Sequence, residues 1–245
     1  DTLAIPVGDI RFDNVGFSYQ DNEVLHGVSF TLKRGEKTAI VGTSGSGKST
    51  ILNLIEKFNE PNKGTIYLGD KDISEFDYRH YRDLFAYLPQ NAPVFDTSVR
   101  EMLMYASQQV VEDDALIAVL DPVGLWKDIK EEGGLAYSLG FNGAKLSGGQ
   151  RQRLNMAALL LSDHEYGLMD EATSAIDHQS KLQLAKLIDE KFKGKTQIIV
   201  THHLASIENA DKIIVLHEGE VIDEGRHQEL MERCSYYVEL VKKGV

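Results

Sequence analysis

Residues 38–55 read Thr-Ala-Ile-Val-Gly-Thr-Ser-Gly-Ser-Gly-Lys-Ser-Thr-Ile-Leu-Asn-Leu-Ile, and the fold hangs on them. Thr38 to Val41 forms a short run rich in β-branched residues, the pattern of a buried strand. Gly42, Thr43, Ser44, Gly45, Ser46, Gly47, Lys48 and Ser49 then match the phosphate-binding P-loop pattern at every fixed position, with Thr50 closing the stretch. Ile51, Leu54, Ile55 and Phe58 fall at helical spacing, which predicts a helix stopped by Pro61 and Gly64. Strand, glycine loop and helix, in that order, are the context the motif requires. The glycines let backbone N–H groups converge on phosphate oxygens at a helix N-terminus that already favours anions. Lys48 is expected to reach the β- and γ-phosphates of a nucleoside triphosphate, and the Ser49 hydroxyl to coordinate Mg²⁺. A chance Gly/Ser turn is the bland alternative, and the flanking strand and helix argue against it.

Upstream of the loop the chain reads as strand. Ile10 and Phe12 share one face whereas Val15, Phe17 and Tyr19 have the other parity, so a bulge or turn is expected at Asp13-Asn14. A second strand is expected over residues 24–32, with a turn at Arg34-Gly35. Downstream, residues 65–68 and 85–88 read as strands, the first followed by a turn at Gly69-Asp70 and the second ended by Pro89. Ser98 with Glu101 makes a capping box for a helix over residues 99–106, and helical signals dominate from there to Leu161. Residues 168–170, 198–201 and 213–216 are short apolar runs separated by helical stretches. That alternation predicts a mainly parallel sheet covered on both faces. Glu218-Gly219 turns into Val221-Ile222, and a helical tail closes the chain.

With 245 residues, 42% hydrophobic and 26% charged, the chain has the composition of an ordinary globular protein and can bury a core without disulfides. There is no repeat, low-complexity tract or Pro/Gly/Ser linker to divide it. The 26 basic and 38 acidic side chains leave a net charge of −12, which argues against a broad nucleic-acid surface but not against a local positive pocket. Cys234 is the only cysteine, so no intrachain disulfide is possible and a reducing compartment is expected. No run approaches the roughly 18 apolar residues of a membrane span, and the longest, residues 156–161, suits a buried helix. There is no signal-peptide pattern, and the chain begins with Asp1 rather than Met, as expected for a piece of a longer polypeptide.

A P-loop alone does not separate kinases, GTPases and motor ATPases. Leu168-Met169-Asp170-Glu171 ends a short apolar strand in two acids, which a buried strand seldom does without a reason. Asp170 is a candidate to hold Mg²⁺, mostly through water, and Glu171 to polarise an attacking water; solvated acids at a strand end are the alternative. Leu146-Ser147-Gly148-Gly149-Gln150 leads directly into a helix expected over residues 150–161, and a serine with two glycines there makes a second anion site. An ordinary cap would explain that stretch alone, but not its position between the P-loop and the acidic strand end.

At these residues the sequence resembles the ATP-binding cassette family, specifically the nucleotide-binding domains of membrane transporters, over residues 10–230. The resemblance implies an α/β P-loop NTPase (RecA-like) core with a mainly parallel sheet, an antiparallel β subdomain and an inserted α-helical signature subdomain near residues 91–162. All of this forms one nucleotide-binding domain over residues 1–245. It implies ATP as substrate with Mg²⁺ as cofactor, and head-to-tail stacking on a second such domain, an identical chain or a paralogue. Each ATP then lies between the P-loop of one domain and Leu146, Ser147, Gly148, Gly149 and Gln150 of the other. By the same likeness Tyr19 stacks on adenine, a strand aromatic facing the core being the alternative. Gln90 matches the glutamine that touches Mg²⁺ and the nucleophilic water, giving Ser49, Gln90 and Asp170 as the metal set. Ser174, Ala175 and Asp177 resemble the loop that crosses the dimer seam. His202 resembles the histidine that contacts the γ-phosphate, with His203 as its competing neighbour, so Lys48, Gln90, Glu171 and His202 form the catalytic set.

Residues 15–19, 24–30 and 93–101 are similar to the exporter branch of the family. That likeness implies ATP hydrolysis powering export, a transmembrane domain upstream, and a soluble segment at the cytoplasmic face of a membrane. Contacts to the transmembrane domain are implied through the Gln90 and Phe141 regions. Phe141 stands where exporters often carry an acid, so coupling contacts here are expected to be apolar. Ala158 stands where the family commonly has Arg, and Tyr166-Gly167 replaces aliphatics, with Gly167 expected to weaken its strand. Non-transport cassettes working on DNA or in translation are a second class. Residues 48–146 leave no room for a long coiled coil, only one cassette is present, and the acidic balance disfavours nucleic acid. A small-molecule P-loop kinase is a third class, and it leaves residues 146–150 unexplained.

Overall fold

Thr38, Ala39, Ile40 and Val41 are all buried, so the run before the P-loop forms an interior strand with no solvent face. The computed structural model describes residues 5–91, 93–107, 110–171, 178–202 and 204–244. In chain order the elements begin with β1 (Ile10–Tyr19), β2 (Asn22–Leu32), β3 (Lys37–Val41), α1 (Lys48–Ile55), β4 (Lys63–Leu68), β5 (Lys71–Asp72), α2 (Tyr78–Arg82) and β6 (Phe85–Leu88). Next come α3 (Val99–Ser107), α4 (Asp113–Leu120), α5 (Trp126–Ile129), α6 (Gly148–Leu161), β7 (Tyr166–Asp170) and α7 (His178–Lys191). The chain ends with β8 (Thr196–Val200), α8 (Leu204–Glu208), β9 (Lys212–His217), β10 (Glu220–Gly225), α9 (His227–Arg233) and α10 (Ser235–Lys242). It divides into two units, one comprising Asp1–Phe85, Glu165–Glu171 and Phe192–Val245, the other Ala86–His164 and Ala172–Lys191.

The first unit holds two sheets. One has the order β10-β9-β3-β8-β7-β6, of which β6 contributes Phe85 to this unit. Strands β9, β3, β8 and β7 run parallel and β10 pairs antiparallel with β9. The parallel strands are mostly apolar and almost wholly buried, as strands covered on both faces are. Val200 pairs with Ile40 on one side and Asp170 on the other, so the carboxyl ends of β3, β8 and β7 lie level. Open α/β sheets bind ligands at that edge. The second sheet is antiparallel, in the order β2-β1-β4-β5. Its β1 carries the expected bulge between Phe12 and Val15, with Asn14 at φ 50°.

Two local expectations are corrected. Helix α1 stops at Ile55, before Phe58, whose side chain is exposed. Lys57 turns left-handed at φ 55°, and the Arg82 guanidinium donates to the carbonyls of Glu56 at 2.8 Å and Lys57 at 2.9 Å. These bonds satisfy carbonyls that a longer helix would have used. Gly167, expected to weaken β7, makes room instead: a Cβ there would lie 2.7 Å from the Phe192 ring. Its neighbour Tyr166 is fully buried, and its hydroxyl accepts from Gly8 N at 2.8 Å and donates to Gly8 O at 2.7 Å.

The second unit is helical, with α3 and α4 packed against α6. The expected capping box is present: Ser98 N donates to Glu101 Oε2 at 2.9 Å, and Glu101 N to Ser98 Oγ at 3.3 Å. In α6 the buried residues are Leu154, Met156, Ala157, Ala158 and Leu159. No helix among the described residues is long and apolar enough to cross a membrane.

At the far end of α1, Glu56 is 4% exposed, and its Oε1 has no hydrogen-bond partner among the described residues. Burial pushes its carboxyl up to about 8, opposed by the Arg82 guanidinium. A folded-state value raised above the ordinary 4.5 leaves stability intact in acid and removes it as pH climbs toward the folded value. Glu56→Met should therefore gain on the parent protein between pH 5 and pH 8.5, on the order of 3 kcal/mol by denaturant titration. A difference that stays flat across that range would contradict the buried neutral carboxyl.

Candidate functional site

The P-loop joins β3 to α1. Gly47 is the N-cap of α1 at φ 103° and offers no side-chain cap. A Cβ on Gly47 would lie 2.7 Å from Leu25 Cδ2, so the position needs glycine for both conformation and space. The first amides of α1 are thus left for an external anion. Lys48 is 6% exposed, and its ammonium donates to Gly42 O and Thr43 O, each at 2.9 Å. Burial lowers its pKa, while the carboxylates of Glu171 and Asp170 pull it back up. Ser46 is buried, and its Oγ has no partner among the described residues. An orphaned hydroxyl beside a helix N-terminus that lacks a side-chain cap fits a phosphate group.

Asp170 ends β7, 6% exposed, and its pKa is raised chiefly by burial, with the Ser49 hydroxyl bond lowering it and Glu171 adding to the rise. Ser49 and Asp170 together present hard oxygen donors, the set that suits Mg²⁺. Glu171 extends the parallel pairing through its N–H to Val200 O at 2.8 Å and then turns left-handed at φ 46°. That conformation is costly for a residue with a side chain and clusters at functional sites. His202, two residues past β8, meets Glu171 Oε1 through Nε2 at 2.8 Å, and its Nδ1 is buried without a partner among the described residues. Level strand ends thus bring Lys48, Ser49, Asp170, Glu171 and His202 into one unit. Tyr19, at the end of β1, is 44% exposed and packs edge-on against Phe17 at 4.7 Å, so it does not face the core.

The second unit holds the other candidate residues. Ser147 is the N-cap of α6, which begins at Gly148. Ser147 Oγ accepts from Gln150 N at 3.2 Å and Gln150 Oε1 accepts from Ser147 N at 2.9 Å, a complete capping box. Gln150 Nε2 also donates to Asp128 Oδ2 at 3.2 Å. Leu146 is buried, whereas Ser147 and Gly148 are exposed. Gln90 is exposed in the turn after β6, and Phe141 is 74% exposed. Ser174, Ala175, Asp177 and His203 lie outside the described residues.

Sequence reasoning missed Arg151. Its guanidinium donates to Leu146 O at 2.7 Å and Gly143 O at 3.3 Å, fixing the chain that leads into the capped helix. A cation in the first turn of a helix opposes the dipole, and that misfit is the signal that could have flagged it.

A sequence profile of the ABC transporter family matches residues 25–174. Among curated relatives, the ATP-dependent lipid A-core flippase of Alcanivorax borkumensis is 36% identical over 98% of this chain and 42% of its own length. The protein of that name from Vibrio parahaemolyticus is 38% identical over 98% and 42%, and that from Francisella tularensis subsp. tularensis 34% over 99% and 40%. A solved structure described as a bacterial Atm1-family ABC exporter with ATP bound matches with TM-score 0.93 and 31% identity, over 99% of this chain and 43% of that one. The chain belongs to the ABC transporter family. It spans about two-fifths of the length of the relatives it matches.

The capping box around Ser147 is testable apart from any ligand. Ser147→Ala should lower the stability of the protein by about 1 kcal/mol, whereas Ser147→Asp, an equally good cap, should leave it nearly unchanged. Equal melting temperatures for parent and alanine variant would show that the cap carries nothing.

Proposed function

We propose that this chain is the nucleotide-binding domain of a membrane exporter and hydrolyses MgATP in a head-to-tail dimer. One observation carries the reading: Lys48, Ser49, Asp170, Glu171 and His202 converge at one sheet edge, while the exposed residues Ser147 and Gly148, at the capped start of α6, belong to the other unit. Half a site on each unit is the arrangement expected if a second domain, identical or paralogous, supplies the other half. The helical unit, with the signature at its α6 N-terminus, is the inserted subdomain of a single cassette over residues 1–245.

The triphosphate lies along the P-loop. Backbone amides from Gly42 to Thr50 and the Lys48 ammonium meet its β- and γ-oxygens, and Tyr19 stacks on the base. Ser49 and, mostly through water, Asp170 would hold Mg²⁺, with Gln90 as the remaining member of the expected set, and the ion would supply charge neutralisation on the phosphates. Glu171 orients the attacking water and accepts its proton. His202 holds that carboxylate at 2.8 Å and faces the γ-phosphate, so the base is fixed before substrate arrives. Ser147, Gly148 and Gly149 of the second domain complete the positive potential where charge spreads in the transition state. The Gln90 and Phe141 regions meet a transmembrane domain at the cytoplasmic face. Closure is a population shift, since ATP binds the closed dimer better than the open one. Nothing observed favours work on nucleic acid over transport.

Glu171→Gln should keep ATP binding, abolish most hydrolysis and accumulate an ATP-bound dimer in size-exclusion chromatography. Turnover at the parental rate in that variant would sink the assignment. Ser147→Asp, which keeps the cap but places a carboxylate where a phosphate must come, should remain folded and fail to dimerise with ATP. Hydrolysis rates should rise faster than linearly with protein concentration, and strict proportionality down to a proven monomer would remove the composite site.

A further inference from the structure

The P-loop lysine is held by two carbonyls, those of Gly42 and Thr43. Both residues are backed by the chain's C-terminal elements. Leu216 O, near the end of β9, lies 2.2 Å from where a Cβ on Gly42 would sit, so that strand presses directly on the first residue of the loop. From α10, the Tyr236 hydroxyl donates to Thr43 Oγ1 at 3.3 Å, across 193 residues of sequence. The Tyr236 ring packs against His217, the last residue of β9, with centroids 4.3 Å apart and planes at 47°. Helix α10 is itself anchored, because Tyr237 and Leu240 are buried and the Tyr237 hydroxyl meets His227 Nδ1 at 2.8 Å. Tyr236 therefore stands on a fixed base and reaches the loop beside a fixed strand end.

We infer that Tyr236 is a positioning residue for the P-loop: its hydroxyl holds Thr43, and the Thr43 carbonyl holds the ammonium of Lys48. The inference rests on the proposed reading of this loop as an ATP site. Thr43 is exposed, and among the described residues its carbonyl accepts only within its own loop, from Ser46 N at 3.2 Å and Lys48 Nζ at 2.9 Å. A contact from outside the loop fixes the peptide whose oxygen sets where the ammonium points. Releasing it leaves the base-stacking side of the site untouched and loosens the end that meets the β- and γ-phosphates.

The test is binding of ATP, ADP and adenosine to the full 245-residue chain, read by titration calorimetry beside thermal melting. Tyr236→Phe keeps the ring against His217, so the fold is retained. It should weaken ATP and ADP by about two- to tenfold, the span of one neutral hydrogen bond, and leave adenosine unchanged. Thr43→Val should lose as much, the double variant no more than either single one, and Thr43→Ser should retain parental affinity. Parental ATP affinity in Tyr236→Phe, or additive losses in the double variant, would overturn the inference. So would a fall in melting temperature with adenosine weakened equally, which marks a merely structural contact. Failure of the parent chain to bind ATP, with Lys48→Ala indistinguishable from it, would instead refute the ATP site itself.

Discussion

A helix that begins on Gly47 without a side-chain cap leaves several amide hydrogens unsatisfied, and in this chain a buried ammonium stands beside them. Such a concentration of positive potential costs free energy unless it is offset. Here it is offset by the carbonyls of Gly42 and Thr43 and by the carboxylates of Asp170 and Glu171. The carboxylates reach that point only because β3, β8 and β7 run parallel with their carboxyl ends level. The parallel sheet, largely apolar and buried on both faces, is therefore the scaffold that lets cation, anions and open amides coexist.

The acids in this cluster are not equivalent. Asp170 is almost fully buried and bonded to the Ser49 hydroxyl, while Glu171 is about a quarter exposed and paired with His202. Their backbones differ in the same sense: Asp170 completes a regular strand, and Glu171 departs from it in a left-handed conformation. One residue of chain thus separates a carboxylate set in the sheet from one aimed by strain and by an imidazole. In the proposed mechanism this difference separates the group that holds the metal from the group that handles the proton.

Much of this was legible in the sequence, for physical reasons that also mark where legibility ends. Buried parallel strands announce themselves as short apolar runs, and the P-loop and the Ser147 stretch are local patterns whose chemistry is backbone chemistry. The bulge near Asn14 was readable because a parity break in alternation has one local meaning. What escaped depends on partners remote in sequence. Helix α1 stops short of Phe58 because Arg82 takes its terminal carbonyls. Gly167 strengthens packing because Phe192 needs its space. The contacts of His202 with Glu171 and of Tyr236 with Thr43 span 31 and 193 residues. No periodicity or motif encodes such pairings, so a single sequence shows the residues and not their company.

The division of the chain into units also sets where the polypeptide passes from one to the other. The segment Glu165–Glu171 is a short visit to the first unit, entered from His164 and left at Ala172. The chain therefore exits one peptide bond after Glu171, and it returns at Phe192, whose ring rests over Gly167 of the same short strand. Glu171 is thus the last residue before the chain changes unit, and its left-handed turn at φ 46° stands at that covalent junction.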